Sequence, residues 1–169
     1  MIAAVIMAAA VALHPGMAQG AVPTPSGLDG VAAMERWDAE QGARLDVFVE
    51  VEPAELAASM PEDIRHLAAD VVRICRREGV NARFIAAVMR WERRPDLHNF
   101  FGWMGSNGRL MRFDTDLDCL ERVIPLIKKL YLTPGGKYFH GATVEGVSVC
   151  YNNSDVWRET IRKTMEARI

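Results

Sequence analysis

Apolar residues recur at spacings of three and four through most of the chain, the period of helices with one buried face. Three long stretches show it, 64–75, 84–89 and 117–130, and two shorter helices are predicted over 144–151 and 156–167. No comparable series of alternating positions accompanies them. The pattern therefore predicts a mainly α domain.

Residue types that begin and end helices mark several boundaries. Asn81 can cap the helix that follows it, and Pro95 is expected to end that helix near Arg94, because the residue before a proline disfavours helical geometry. Pro125 should kink or split the helix over 117–130. Further boundaries are predicted from capping boxes at Ser59–Glu62 and Thr115–Asp118 and from Gly79 after a helix ending near Glu78.

Two segments have extended character. The pair Asn107-Gly108 is typical of a tight hairpin turn, with short strands predicted at 101–104 and 110–113. Residues 45–51 alternate between apolar and polar types, which also suggests an extended segment. One small β-hairpin is thus expected within the mainly α fold.

The first sixty residues differ from the rest in composition. Residues 1–13 are apolar and uncharged, and small residues follow at Ala18 and Gly20, so 1–20 resemble a signal peptide or an anchor. Residues 21–30 resemble a flexible linker, and 31–60 form an extension of uncertain structure with a short helix expected over 31–41. The domain itself is predicted over 61–169, in a secreted or cell-envelope protein.

Charge and cysteine content exclude some classes of function. The 169 residues carry a net charge of −2, which does not indicate nucleic-acid binding. The three cysteines, Cys75, Cys119 and Cys150, form no paired motif, so neither a metal nor a cofactor is predicted. All three lie in apolar helical patterns, which favours buried free thiols, with one disulfide as the alternative in an exported protein. No stable protein partner is indicated.

Glu92 is the main candidate for chemistry. It falls in the last turn of the helix after Asn81, and the aromatic residues Phe100, Phe101 and Trp103 follow it. The helix dipole and poor solvation both disfavour a carboxylate there, so a raised pKa is expected. The alternative is an ordinary solvated residue at an arginine-rich helix end.

Three motifs in order resemble the glucosaminidase family of peptidoglycan hydrolases (mannosyl-glycoprotein endo-β-N-acetylglucosaminidase-like). The first is Phe-Ile-Ala-Ala-Val-Met-Arg-Trp-Glu at 84–92 followed by Asn99, Phe101 and Gly102. The second is Phe113-Asp114 before a helix, and the third is Tyr151-Asn-Asn-Ser-Asp-Val-Trp157. The resemblance covers roughly residues 62–168. It implies a lysozyme-like fold and hydrolysis of β-1,4 bonds next to N-acetylglucosamine in peptidoglycan glycan strands.

The resemblance also implies roles for individual residues. Glu92 matches the family's catalytic glutamate and is the expected general acid. Asp114 or Asp116 could supply a second carboxylate, although each could instead stabilise a helix N-terminus, and Asp118 is assigned to capping. If the substrate's N-acetyl group is the nucleophile, Tyr151 could position it or the attacking water, or be a core tyrosine. The substrate-binding candidates, several of which could instead serve packing, are Asn99, Phe101, Gly102, Trp103, Tyr138 and Trp157.

Other functions fit the same motifs. A lytic transglycosylase or a muramidase could have this fold, and a catalytically inactive cell-wall-binding or phage structural module could retain it. The chain departs from the family in having only six residues between Glu92 and Asn99 and in carrying Arg93-Arg94 after the glutamate.

Overall fold

The computed structural model describes residues 44–166, so the predictions for a signal peptide or anchor, a linker and a helix over 31–41 lie outside the described residues. The described part is mainly helical, as predicted. No helix within it is long and apolar enough to cross a membrane. Its six α-helices are α1 Pro53–Ser59, α2 Ala68–Glu78, α3 Ala82–Glu92, α4 Asp116–Ile127, α5 Val144–Tyr151 and α6 Asp155–Glu166. Two 3₁₀ helices, Glu62–Leu67 and Pro95–Leu97, and one π-helical turn, Lys128–Leu132, complete the helical elements of this part.

Helix α3 lies at the centre of the domain. Helices α1, α2 and α6 all pack against it, and α2 also packs on α4. The sequence predicted one buried face for α3, but its residues from Phe84 to Met89 are all buried. Ala86 and Ala87 make this possible, because their small side chains let neighbouring helices approach the side that the large residues leave open. The central helix carries Glu92 at its last position.

Three of the predicted helix boundaries are confirmed. The Asn81 side chain accepts hydrogen bonds from the backbone N–H groups of Arg83 and Phe84, which caps α3. The Thr115 side chain accepts from the Asp118 N–H and caps α4. Gly79 ends α2 in the left-handed region, at φ 63°, where glycine has no side chain to clash.

The predicted capping box at Ser59 is wrong. Ser59 is the last residue of α1, a helix that the sequence analysis missed, and its hydroxyl donates to the Leu56 carbonyl. The next helical segment begins after Pro61 as a 3₁₀ helix and becomes α-helical only at Ala68. Proline after Met60 separates α1 from the 3₁₀ helix, because it disfavours helical geometry in the residue before it.

Pro125 changes the type of helix rather than ending it. It lies inside α4, two residues before the last one, and a π-helical turn continues from Lys128 to Leu132. Proline has no N–H for the α-helical hydrogen bond, and π-helical turns commonly accommodate such interruptions. The prediction that this helix would be divided near Pro125 agrees with that change.

Neither predicted extended segment forms a strand in residues 44–166. The Asn107-Gly108 turn is flanked by an isolated antiparallel bridge between Met104 and Leu110. The segment 45–51 is irregular, and Leu45 instead anchors it through backbone hydrogen bonds to Ala142 and Asn81. Four residues before 61 lie in the core, so 44–60 form part of the same packed unit: Leu45, Val51, Leu56 and Met60.

Two predictions of burial fail at helix surfaces. Cys75 and Cys119 are buried free thiols as expected, but Cys150 is exposed. Leu117 was assigned to the apolar face of α4 and is instead exposed. Cys150 and Leu117 each lie within one turn of a helix end, where the neighbouring helices do not cover the side chain.

Candidate functional site

Glu92 is the last residue of α3: it lies in the last turn, as predicted, and the helix ends two residues before Arg94, where its end was expected. Arg93, which follows it, has left the helical conformation with ψ 138°, and Arg94 before Pro95 is also non-helical. The chain then turns through the 3₁₀ helix Pro95–Leu97 and returns as a loop over residues 98–104, here called the aromatic loop. The helix end and the returning loop place Gly102 directly beside the Glu92 carboxyl.

One carboxyl oxygen of Glu92 is held by two N–H donors. The Trp157 indole Nε1 lies 3.1 Å from Glu92 Oε1, and the Asn152 amide Nδ2 lies 3.2 Å from the same oxygen. Both groups can only donate, since an indole N–H and an amide NH₂ have no acceptor capacity. Oε1 is therefore the acceptor oxygen whether or not the carboxyl is protonated.

The other oxygen, Oε2, lies on the side of Gly102. It accepts no hydrogen bond within residues 44–166, where every buried side-chain nitrogen or oxygen has a partner, so Oε2 retains contact with solvent. Gly102 borders it: a Cβ at this position would lie 3.1 Å from Oε2. When the carboxyl is protonated the proton is carried by Oε2, because Oε1 accepts from two donors.

The surroundings of Glu92 favour its neutral form. Burial raises the pKa of Glu92 above its ordinary value, while the hydrogen bonds from Asn152 and Trp157 and the charge of Arg94 act in the opposite direction. The burial effect is the largest, so the net shift is upward. A half-buried carboxyl with a raised pKa and one accessible oxygen is suited to donating a proton.

Asn99 determines the shape of the aromatic loop. Its buried side-chain amide donates to the carbonyls of Trp103 and Met111, both at 2.9 Å. Its carbonyl oxygen accepts from the N–H groups of Trp103 at 2.9 Å and Phe101 at 3.4 Å. Since Asn99 is fully buried, it organises the loop from the inside and does not face a ligand.

Tyr151 fixes the same loop from helix α5. Its hydroxyl donates a hydrogen bond to the Phe101 carbonyl. Burial and the nearby Glu92 carboxyl raise the pKa of Tyr151 well above its ordinary value, so the phenol stays protonated and keeps donating. The hydroxyl predicted to position a substrate group is engaged with the protein backbone.

A row of aromatic rings leads away from Glu92. The ring centroids of Trp157 and Tyr151 are 5.8 Å apart, those of Tyr151 and Tyr131 5.5 Å, and those of Tyr131 and Tyr138 5.1 Å. Such separations are typical of favourable aromatic pairs. Tyr138, at the end of the row, is half-buried. This packing joins α5, α6 and the π-helical turn behind the site.

The predicted substrate-binding residues divide into two groups. Phe101, Trp157 and Asn99 are buried, and this corrects their assignment as ligand contacts: they support the site from behind. Trp103 and Tyr138 are partly exposed, and Gly102 borders the accessible oxygen of Glu92, so these three keep a surface that a ligand can reach.

The candidate second carboxylates have different surroundings. Asp114 is exposed, and its side chain forms no hydrogen bond or ion pair within residues 44–166. Asp116 is held by two histidines: one oxygen lies 2.5 Å from His98 Nδ1 and the other 3.4 Å from His66 Nε2. It therefore secures the aromatic loop and the first 3₁₀ helix to the start of α4, which leaves Asp114 as the less constrained candidate.

Asn152 is the functional residue that the sequence analysis missed. It follows α5, and the sequence analysis names it only within the third motif, Tyr151 to Trp157, without a role of its own. A contact across 60 positions leaves no periodic pattern in the sequence. The sequence feature that could have pointed to Asn152 as a site residue was its position directly after Tyr151 in that motif. No cluster of three or more potential metal ligands occurs among residues 44–166.

Comparison with known proteins adds no relatives: no protein-family model, curated protein or solved structure matches the chain.

Proposed function

We propose that the protein is a peptidoglycan hydrolase that cleaves β-1,4 glycosidic bonds next to N-acetylglucosamine, with Glu92 as the general acid. The observation that carries this proposal is the asymmetric environment of the Glu92 carboxyl. One oxygen accepts from Trp157 and Asn152, and the other is accessible beside Gly102. Burial raises the pKa of this group, which favours the protonated form that an acid catalyst needs.

In the proposed reaction Glu92 donates its Oε2 proton to the glycosidic oxygen as the bond from that oxygen to C1 breaks. The leaving sugar departs with the new hydroxyl, and positive charge develops at C1 and the ring oxygen. The carbonyl oxygen of the substrate's own N-acetyl group attacks C1. Water then opens this ring intermediate at C1, and its proton returns to Glu92. This route requires no second carboxylate in contact with Glu92.

The polar and aromatic neighbours of Glu92 have supporting roles in this proposal. Tyr151 and Asn99 hold the aromatic loop through backbone hydrogen bonds, and the loop carries Trp103 and Gly102 to the site. Trp103 and Tyr138 offer partly exposed rings on which sugar rings can stack. A lysozyme-like arrangement and a secreted or cell-envelope location belong to the same proposal, since peptidoglycan lies outside the cytoplasm.

A lytic transglycosylase is a second candidate, because a single carboxyl acting as acid and then as base also suffices there. Asp114, the less constrained candidate for a second carboxylate, forms no hydrogen bond or ion pair that would position it within residues 44–166, and this is compatible with either activity because neither requires a second carboxylate. The two activities leave different ends: a reducing N-acetylglucosamine from the hydrolase and an anhydromuramic end from the transglycosylase.

The deciding experiment measures clearing of purified cell walls by the unaltered protein and by Glu92→Gln, with mass spectrometry of the fragments. We expect the substitution to keep the fold and to lower turnover by at least about 10²-fold, the contribution typical of general acid catalysis. Retention of more than about a tenth of the turnover would show that Glu92 is not the acid.

Glu121→Gln is the matched control. Glu121 is a partly exposed carboxylate on α4 that is bonded to Arg73 and Arg77. An exposed ion pair of this kind contributes about 0–1 kcal/mol, so the variant should fold and retain activity. Binding of walls without any turnover by the unaltered protein would identify an inactive wall-binding module instead.

A further inference from the structure

An open groove of about 570 Å³ lies beside the Glu92 helix end. Its lining includes the three arginines Arg65, Arg90 and Arg93 and the indole of Trp91, and it contains no aspartate or glutamate. We call it the arginine groove. A concentration of positive charge is notable here because the whole chain has a net charge of −2. The groove attracts anions rather than neutral ligands.

Two of the three guanidinium groups retain free donors. Arg65 Nε donates to the Met60 carbonyl at 3.1 Å, and Arg90 donates to the Ser59 carbonyl at 3.4 Å. Within residues 44–166 neither is paired with a carboxylate, whereas Arg93 is bonded to Asp63 at 3.1 Å. Because a guanidinium has five N–H donors, Arg65 and Arg90 keep most of theirs for a ligand. The two carbonyl contacts hold both groups at the end of α1.

Trp91 gives the groove an apolar wall next to these charges. Trp91 lies on the central helix α3 and is nevertheless 44% exposed, which is unusual for a tryptophan. Ala58 and Ala87 also line the groove, and their small side chains leave its floor accessible. An anion with an apolar part fits this combination better than a bare inorganic ion does.

The groove adjoins the candidate catalytic site along two helices. Arg90 and Trp91 on α3, and Arg93 directly after it, line the groove and flank Glu92 in the sequence. On α6, Trp157 donates to Glu92, and Thr160, three residues later and so on the same side of the helix, lines the groove. A ligand that extends from Glu92 along the α3–α6 junction reaches the arginines.

We propose that the arginine groove binds the carboxylates of the peptide side chains that peptidoglycan carries, and so directs the protein to peptide-bearing glycan. This inference rests on the proposed function. The sugar backbone offers mainly hydroxyl and acetamido groups, whereas the peptides carry free carboxylates on short apolar units. Arginine pairs with carboxylates through two parallel N–H donors, which provides both charge and geometry.

The test uses the full chain carrying Glu92→Gln, so that the polymer is not degraded, and measures its co-sedimentation with peptidoglycan freed of phosphate polymers. The second ligand is the same peptidoglycan after enzymatic removal of its peptides, with the lactyl carboxyl groups that this frees on the glycan converted to neutral methyl amides. Arg65→Gln with Arg90→Gln removes the two free guanidinium groups. Arg73→Gln with Arg122→Gln is the matched control, because it removes the same charge from exposed ion pairs outside the groove.

We expect the groove variant to bind peptide-bearing polymer about tenfold more weakly, with the control unchanged and with no difference between variants on the stripped glycan. Equal binding of the groove variant and its parent to peptide-bearing polymer overturns the proposal. The proposal is also overturned if the groove variant loses as much binding on stripped glycan as on peptide-bearing polymer. Failure of the parent protein to bind either polymer overturns it as well. Thermal unfolding of each variant verifies that the fold is retained.

The acid role of Glu92 and the peptide contact of the arginine groove are refuted by different measurements, turnover for the first and binding for the second. If Glu92→Gln retains turnover in an otherwise unaltered chain, the assignment of the acid is wrong, and a loss of binding in the groove variant still supports the peptide contact. If turnover depends on Glu92 but the groove variant binds normally, the peptide contact alone is refuted.

Discussion

At the scale of single residues, the two oxygens of Glu92 have different partners, and this difference defines what the carboxyl can do. Oε1 accepts from Trp157 and Asn152, while Oε2 lies beside Gly102. Donors that stabilise the carboxylate limit the rise in pKa that burial causes. In the proposed reaction, this balance would let Glu92 lose a proton and regain it in each cycle.

The pH dependence of activity should report this balance. Since the protonated carboxyl is the competent form, activity should be present below the raised pKa of Glu92 and fall as pH rises through it. Trp157→Phe removes one donor to Oε1 and should move that fall to higher pH, because the carboxylate loses a stabilising hydrogen bond. A pH–rate profile of both proteins tests this, and a shift to lower pH would contradict it.

Protein stability provides a test of the same pKa that does not depend on activity. A carboxyl whose pKa is higher in the folded state contributes stability that is fully present below its unfolded value, ordinarily 4.5, and is lost as pH rises through the folded value. Glu92→Gln remains neutral throughout. The free energy of unfolding of the variant relative to the unaltered protein should therefore increase between pH 4 and pH 7, as measured by urea titration. A constant difference would mean that the pKa is not raised.

Gly102 and Gly108 form a matched pair for testing access to Oε2. Both have positive φ, 59° and 70°, but a Cβ at Gly102 meets Glu92 Oε2 at 3.1 Å, whereas a Cβ at Gly108 meets nothing within 4 Å. Alanine at either position should cost about 1 kcal/mol of stability, because side chains disfavour this backbone region. Only Gly102→Ala should also reduce turnover at the site. Equal activity in the two variants would show that the substrate does not occupy the space beside Oε2.

At the scale of elements, the aromatic loop connects the end of α3 to the start of α4, and hydrogen bonds from Asn99 and Tyr151 fix its shape. The hydrogen bond between His98 and Asp116 secures its first residue, which has a positive φ of 48°. A loop fixed at these points presents Trp103 in one orientation. Such rigidity suits a ligand contact, since little conformational entropy is lost on binding.

Trp103→Ala tests the role of the loop in binding. Trp103 is only partly buried, so its removal should lower the free energy of unfolding by less than about 3 kcal/mol, the lower limit for a fully buried tryptophan. Affinity for an N-acetylglucosamine oligomer should fall more than stability does, because a sugar ring loses its stacking surface. Calorimetric titration and denaturant unfolding measure the two effects. A larger loss of stability than of affinity would place Trp103 in the core.

The elements that the sequence predicted well are those whose ends are determined locally. Asn81, Thr115 and Gly79 were assigned correctly because capping depends on backbone groups two or three residues away. The same reasoning failed at Ser59, because Ser59 ends α1 and its hydroxyl donates to the carbonyl of Leu56, which precedes it in that helix. The contacts of Glu92 with Asn152 and Trp157 could not be derived from periodicity, since the packing of α6 on α3 creates them.

At the scale of the whole molecule, residues 44–166 form one packed core around α3. The segment before α2 belongs to it, because Leu45, Val51, Leu56 and Met60 are all buried. The sequence placed the start of the domain at residue 61, since 31–60 lack a long helical period. Long-range contacts, such as the backbone hydrogen bonds of Leu45 to Ala142 and Asn81, include this segment in the core.

Two deletions test this organisation. Removing residues 1–30 should leave the melting temperature nearly unchanged, because the apolar run and the linker composition predict a segment outside the domain. Removing residues 1–60 also removes four buried side chains from the core. Each such side chain contributes about 1.5–3 kcal/mol when fully buried, and the sum approaches the net stability of a typical domain. The longer deletion should therefore prevent cooperative unfolding in circular dichroism melts. A drop of many degrees with the shorter deletion would show that the first thirty residues pack on the core, and an unaltered melt with the longer one would place the domain boundary at residue 61.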